Sequence, residues 1–355
     1  MISSRSRPVL VAPDKFKGTL SAPEAAVAIG RGLAGAGVDR VELLPLSDGG
    51  EGTVEAIVRA KAGRIATATV SGPLGEPVTA AFGLLDEGRT ALVEMGQASG
   101  LWRVPPERRY AWSASSRGTG ELIADAIDAG AREVVVTAGG SATTDGGRGA
   151  LEALGARFTA SKADLHDLQE RLRGVRLLVA CDVQNPMCGP TGAARSFGPQ
   201  KGADPETVEL LEERLDVWAA LARKTTSRDP AREPMAGAAG GLAGGLWAFA
   251  GAKLRPGAPL ILDTLAFDDR MRQSLAVVTG EGRLDEQTLH GKAVWEVATR
   301  CRQAGVPCYA VVGEDALDAF GKRMMNVEVI ASGRPGRPAS AIDLERASRL
   351  VAKRI

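Results

Sequence analysis

The sequence predicts an α/β chain of two domains, and three observations carry that prediction. Its 355 residues exceed what one hydrophobic core usually organises. Its 44 glycines, 44% hydrophobic content and only 4% aromatics suit a protein of small side chains with many tight strand-to-helix turns. Short β-branched runs also alternate with stretches of helical periodicity along most of the chain.

PVLVAP (8–13) reads as a buried strand. SAPE (21–24) then supplies Ser21 as N-cap, Pro23 in the first turn and Glu24 at the capping-box position, which predicts a helix from about Pro23 to Leu33. The strand VELLPL (41–46) runs into SDGGEGT and a helical stretch from Val54 to Ala60. TATV, VTAAFGLL and TALVEM, separated by GPLGEP and DEGR, predict an antiparallel meander. After Ser115 the strand-and-helix rhythm returns: helix 119–129, strand 132–137, a glycine-rich loop, helix 148–154, strand 175–181 and helix 205–223.

ARKTTSRDPAREP (222–234) is polar and aperiodic and predicts a mobile surface loop or lid connection. GAAGGLAGGLW (237–247) is expected to open a closely packed helix. Strand 276–282, helix 292–304, strand 307–312, a short helix, strand 327–331, the turn-rich GRPGRP (333–338) and a helix from about Ala341 complete the chain.

The 44 basic and 43 acidic side chains give a net charge of +1, so no global field draws nucleic acid or an anionic membrane, and any anion is bound locally. Cysteines 181, 188, 301 and 308 form no C-x-x-C pair and are expected as buried, reduced thiols. The first apolar run ends at Pro13 and Asp14, too early for a secretory segment, and 236–252 is mostly glycine and alanine, too weakly apolar to span a bilayer. A cytoplasmic protein is expected.

Several familiar chemistries find no support. Gly291-Lys292 is followed by alanine and lacks the first glycine of a P-loop, and 237–247 follows no strand, so it fails as a dinucleotide fingerprint. His166 and His290 form no zinc motif, and GGSAT lacks the final glycine of a nucleophile elbow. Carboxylates, lysines and glycines remain, and these are what phosphoryl transfer from a magnesium nucleotide requires.

The stretch VVVTAGGSATTDGG (134–147) is a strand, a glycine-rich turn and a helix entry. Gly139, Gly140 and Gly146 bring backbone amides to a helix start, and Ser141, Thr143 and Thr144 add hydroxyls. Strand ends followed by glycines and a carboxylate recur at 45–52, 137–147, 180–189 and 279–285, placing Asp48, Asp145, Asp182 and Asp285 where ligands bind in open parallel sheets. Some of these aspartates are equally suited to capping helices. Lys17, Lys201 and Lys292 lie beside glycines that allow close approach to an anion, although an exposed lysine is the commonest fate of that residue.

APDKFKGTLSA (12–22), LPLSDGGEGT (44–53), GGSATTDGGRGALEALG (139–155), ACDVQNPMCGPTGAARSFGPQKGA (180–203), GAAGGLAGG (237–245) and TGEGRLDEQTLHGK (279–292) together resemble, in order, the signatures of the bacterial glycerate kinase family, the two-domain type unrelated to P-loop kinases. Lys15, Ser47 and Thr144 depart from the common residues of those signatures without removing a carboxylate or lysine named above.

The resemblance implies two α/β domains. One is Rossmann-like or flavodoxin-like with a parallel sheet, formed by 1–69 and 286–355; the other is a mixed α/β domain inserted at 70–285, with the active site in the cleft between them. It also implies ATP-dependent phosphorylation of D-glycerate to 2-phosphoglycerate with Mg2+, by a monomer or homodimer without nucleic-acid or membrane partners.

On this basis Asp182 or Asp285 is the expected base, Lys17 and Lys292 neutralise the transferring phosphate, and Asp48 and Glu281 hold magnesium. Arg283, Asp48 and Asn185 are expected to contact the substrate. Gly139, Gly140, Ser141, Thr143, Thr144, Asp145, Gly146 and Lys201 are expected to hold the nucleotide. A kinase for another small hydroxy acid and a non-catalytic sugar-acid sensor are the alternatives.

Overall fold

The computed structural model describes residues 7–46, 52–333 and 337–355, the side chains of Gln287 and His290 excepted. Its strands, in chain order, are β1 Val9–Pro13, β2 Val41–Leu43, β3 Arg64–Ser71, β4 Pro77–Leu85, β5 Thr90–Glu94, β6 Glu133–Thr137, β7 Arg157–Phe158, β8 Ala163–Asp164, β9 Arg176–Cys181, β10 Lys253–Pro256, β11 Ala276–Leu284, β12 Cys308–Asp315 and β13 Glu328–Ala331.

The chain divides into two compact units, 1–48 with 258–355, and 49–257. The divisions differ from those expected near 70 and 285 for two reasons. The helix Thr53–Ala60 packs on β3, β4 and β5, and β11 pairs with β1 and β12.

The first unit is built on a five-stranded parallel sheet of order β13-β12-β11-β1-β2. All five residues of β1 are buried, as a strand covered on both faces requires. Helix Ala22–Ala34 begins as its sequence dictates: the Glu24 amide donates to Ser21 Oγ at 3.4 Å and the Ser21 amide to Glu24 Oε2 at 2.8 Å. Its buried face joins Val9, Val11, Phe16, Val278, Val311 and Leu344 in this unit's core.

The second unit carries a six-stranded sheet of order β10-β9-β6-β5-β4-β3. β3, β4 and β5 form the antiparallel meander, and β5, β6, β9 and β10 run parallel. Its core gathers Phe82, Leu122, Val136, Leu151, Trp218 and Leu246.

The stretch 222–234, expected as a mobile loop or lid connection, is a packed connection. Helix Pro205–Thr226 takes its first five residues, and the Met187 and Cys188 amides donate to Pro230 O at 3.4 Å and Ala231 O at 3.1 Å. No helix among the described residues is long and apolar enough to cross a membrane.

Candidate active site

Two cavities collect most of the sequence-derived candidates, one in each unit. Numbered within the first unit, the parallel sheet has strand order 5-4-3-1-2, and its direction of winding reverses between β1 and β11. Ligands bind outside the carboxyl ends of strands at such a switch point. A cavity of about 600 Å³ lies there, lined by Asp14, Lys15 and Lys17 after β1, by Glu281, Arg283 and Asp285 at the end of β11, and by Lys292, Glu314 and Arg337. Glycine is required where these strand ends crowd together. A Cβ on Gly280 would stand 2.1 Å from Val311 O, and one on Gly282 would stand 3.2 Å from the Lys17 amide nitrogen.

Glu281 is only 6% exposed. Its Oε1 accepts a hydrogen bond from Thr288 Oγ1 at 2.7 Å, and its Oε2 is 3.7 Å from Lys292 Nζ. Lys292 is shared, since Asp285 Oδ1 lies 3.8 Å from the same nitrogen. Arg283 spans two acids, with Nε 3.6 Å from Asp285 Oδ2 and Nη1 3.7 Å from Glu314 Oε2. Burial pushes the Glu281 carboxyl above its ordinary pKa, while the Thr288 hydrogen bond and the Lys292 charge oppose that rise.

The oxygen donors Asp14, Glu281 and Asp285 line this one cavity. They suit magnesium, which is usually held by one or two carboxylates, waters and substrate phosphates rather than by a full protein cage. Asp48, an expected ligand, lies outside the described residues.

In the second unit a cavity of about 230 Å³ opens where β6 and β9 end, lined by Gly139, Gly140, Ser141, Asp182, Gln200 and Lys201 among others. Lys201 is 2% exposed and donates to Ser141 Oγ at 2.8 Å and to Thr143 O at 2.6 Å. An ammonium group has three donors, so these two acceptors leave one N–H without a partner among the described residues. Burial lowers the Lys201 pKa to about 7 against the opposing charge of Asp145.

The glycine-rich loop divides in two. Gly139–Ser141 faces the cavity, whereas Thr143 to Gly146 are built into the protein. Asp145 accepts from the Ser116 amide and hydroxyl at 2.8 Å each, from the Gly147 amide at 3.1 Å and from the Gly149 amide at 3.3 Å. The Ala150 amide donates to Ser116 Oγ at 3.0 Å, so the amides opening helix Arg148–Ala153 are already engaged. Thr143 Oγ1 donates to Ala239 O at 3.4 Å, and Gly146 O accepts from Trp218 Nε1 at 2.9 Å. Thr144 is fully buried and its hydroxyl has no hydrogen-bond partner among the described residues.

Asn185 lines neither cavity; its Nδ2 donates to Thr191 O at 2.7 Å and Ser196 Oγ at 3.2 Å. Asp14, Glu314 and Arg337 are pocket residues that sequence reasoning missed. Asp14 was findable, because DKFKG repeats the strand-end pattern of carboxylate and glycine after β1. Arg337 carried no such signal.

The sequence model of the Glycerate kinase family matches residues 9–354. The chain is 41% identical to a glycerate kinase of Bacillus subtilis strain 168, over 96% of this chain and 92% of that protein. It is 40% identical to the glycerate 2-kinase of Escherichia coli K12, over 86% of this chain and 85% of that one. Among solved structures it is similar to a candidate glycerate kinase 2 from Salmonella typhimurium LT2, with a TM-score of 0.85 and 39% identity, covering 98% of this chain and 96% of that one.

Proposed function

The chain belongs to the glycerate kinase family, and from that premise we propose that it transfers the terminal phosphoryl group of ATP to the 2-hydroxyl of D-glycerate, releasing 2-phosphoglycerate and ADP. The observation that carries this reading is the gathering of Lys17, Lys292, Glu281 and Asp285 around one cavity at the switch point of a parallel sheet. Phosphoryl transfer asks for these parts: cations around the phosphate, carboxylates for a metal and a base for the acceptor hydroxyl.

In this reading Lys17 and Lys292 neutralise charge on the transferring group, and Arg283 clasps the substrate carboxylate through its planar fork. Asp285 or Asp182 accepts the hydroxyl proton. Gly139–Ser141 and Lys201 take nucleotide phosphate, with Thr143, Thr144, Asp145 and Gly146 shaping the loop that presents them. Glu281 with Asp14 or Asp48 would hold magnesium directly or through water, and the ion would supply positive charge to the phosphates. Dependence on ATP fits a cytoplasmic enzyme.

The test is ADP release from Mg-ATP with D-glycerate, read in parallel through enolase without phosphoglycerate mutase. Signals in both channels support the 2-kinase. ADP without an enolase signal means a different product, and no ADP at all overturns glycerate as the acceptor.

A further inference from the structure

We propose that Cys188, Glu212 and Asp216 form a binding site for a divalent transition-metal cation of the zinc type, separate from the magnesium chemistry of phosphoryl transfer. Ligand atoms of the three side chains, a thiol sulfur and one oxygen from each carboxylate, all lie within 4.8 Å of one another. Two donors bound to one zinc stand about 3.5 Å apart, given metal–sulfur and metal–oxygen bonds of about 2.3 and 2.0 Å in tetrahedral geometry. Side-chain adjustment of roughly an ångström therefore closes the site.

The independent observation is Glu212. It sits on the inward side of helix Pro205–Thr226 between the buried Leu211 and Leu215, and is itself 6% exposed. Its Oε1 accepts from the Gly189 amide, but its Oε2 is buried with no hydrogen-bond partner among the described residues. An unpaired buried carboxylate oxygen is costly, and a cation satisfies it.

The surroundings sharpen the point. Asp216 lies one helical turn from Glu212, and like charges at that spacing destabilise a helix unless something positive lies between them. Arg195 lends positive charge to both carboxylates, but its guanidinium is held by Glu209, with Nη2 2.7 Å from Oε2, rather than lying between them. Coordination would replace the Cys188 thiol proton and put a thiolate on the metal. One sulfur and two oxygens favour zinc-like ions over magnesium or calcium, which prefer oxygen alone. Asp216 is exposed and provides the entry path, leaving the remaining coordination positions to water. The site would tie the segment after β9, which carries Asp182, to the long helix.

The test uses the full-length protein stripped with a chelator and titrated with CoCl2. Wild type is expected to bind one equivalent with a thiolate-to-cobalt charge-transfer band that ZnCl2 abolishes and MgCl2 does not. Cys188→Ser should lose the band, and Cys181→Ser should keep it. Because Glu212 is buried, the carboxylates are tested with the exposed Asp216→Asn, expected to weaken cobalt binding at least about tenfold without lowering the metal-free Tm. Absence of the band in wild type, its survival in Cys188→Ser, or unchanged affinity in Asp216→Asn overturns the site.

Discussion

Lys201 holds its ammonium group where water does not reach, and its two neutral acceptors only partly replace hydration. Its pKa falls from 10.5 to about 7. The folded protein therefore binds fewer protons than the unfolded chain between those values, and this residue's contribution to stability rises with pH across that window. The advantage of wild type over Lys201→Met in urea unfolding should grow from neutral to alkaline pH. The KM for ATP should also rise in wild type above pH about 7 as the charge is lost. Lys201→Met should show a high KM throughout; a wild-type KM that stays flat across the window removes the lysine from the phosphate site. At the acceptor hydroxyl, a positioned base typically contributes about 10²–10⁴-fold. Asp182→Asn and Asp285→Asn should therefore differ in kcat by that order, with melting curves confirming that both variants fold. Equal small losses would count against either as the base. These residues were legible as candidates because glycine and carboxylate together at a strand end is a local pattern. Which of them faces a ligand was not.

The loop 139–147 shows why. Its sequence offered amides and hydroxyls without distinction, but the structure assigns Thr143, Asp145 and Gly146 to internal partners distant in sequence: Ala239, Ser116 and Trp218. Asp145 is the organiser. Asp145→Ala should cost at least about 1.5–3 kcal/mol in chemical denaturation, as expected for hydrogen bonds to a charged group. It should also raise the KM for ATP, with Asp145→Asn recovering part of both. At the other cavity, Gly280→Ala forces a methyl against Val311 O, a contact of 2.1 Å before relaxation. About 1–3 kcal/mol of destabilisation is expected, with larger values if β12 cannot shift. Elements with strong local signals, such as the SAPE capping box and the three-strand meander, were readable in advance. β10 was not, because KLRP is only four residues long, has no β-branched residue and ends in proline, and it owes its strand to pairing with β9 at the sheet edge.

For the molecule as a whole, periodicity identified an α/β chain and family resemblance a parallel sheet, but strand order came only with the structure, since nothing local says that β11 lies between β1 and β12. The unit boundaries shifted for the same reason. If 49–257 is a true folding unit with its own sheet and core, that segment expressed alone should unfold cooperatively, retain weak nucleotide binding and release no ADP. Gradual, non-cooperative melting would show that its stability depends on the rest of the chain. The pairing of Val9–Pro13 with Ala276–Gly280 also sets a timetable for biosynthesis. β1 leaves the ribosome well before β11, its central neighbour, which follows 263 residues later (276 − 13), an interval of about 13–50 s at usual translation rates. With only β2 as an early neighbour, and two strands marginal on their own, the apolar VLVAP segment waits while 49–257 is made and folds. A strand made early is thus among the last of its sheet to gain its native neighbours, and its apolar edge stays open to wrong partners for that interval.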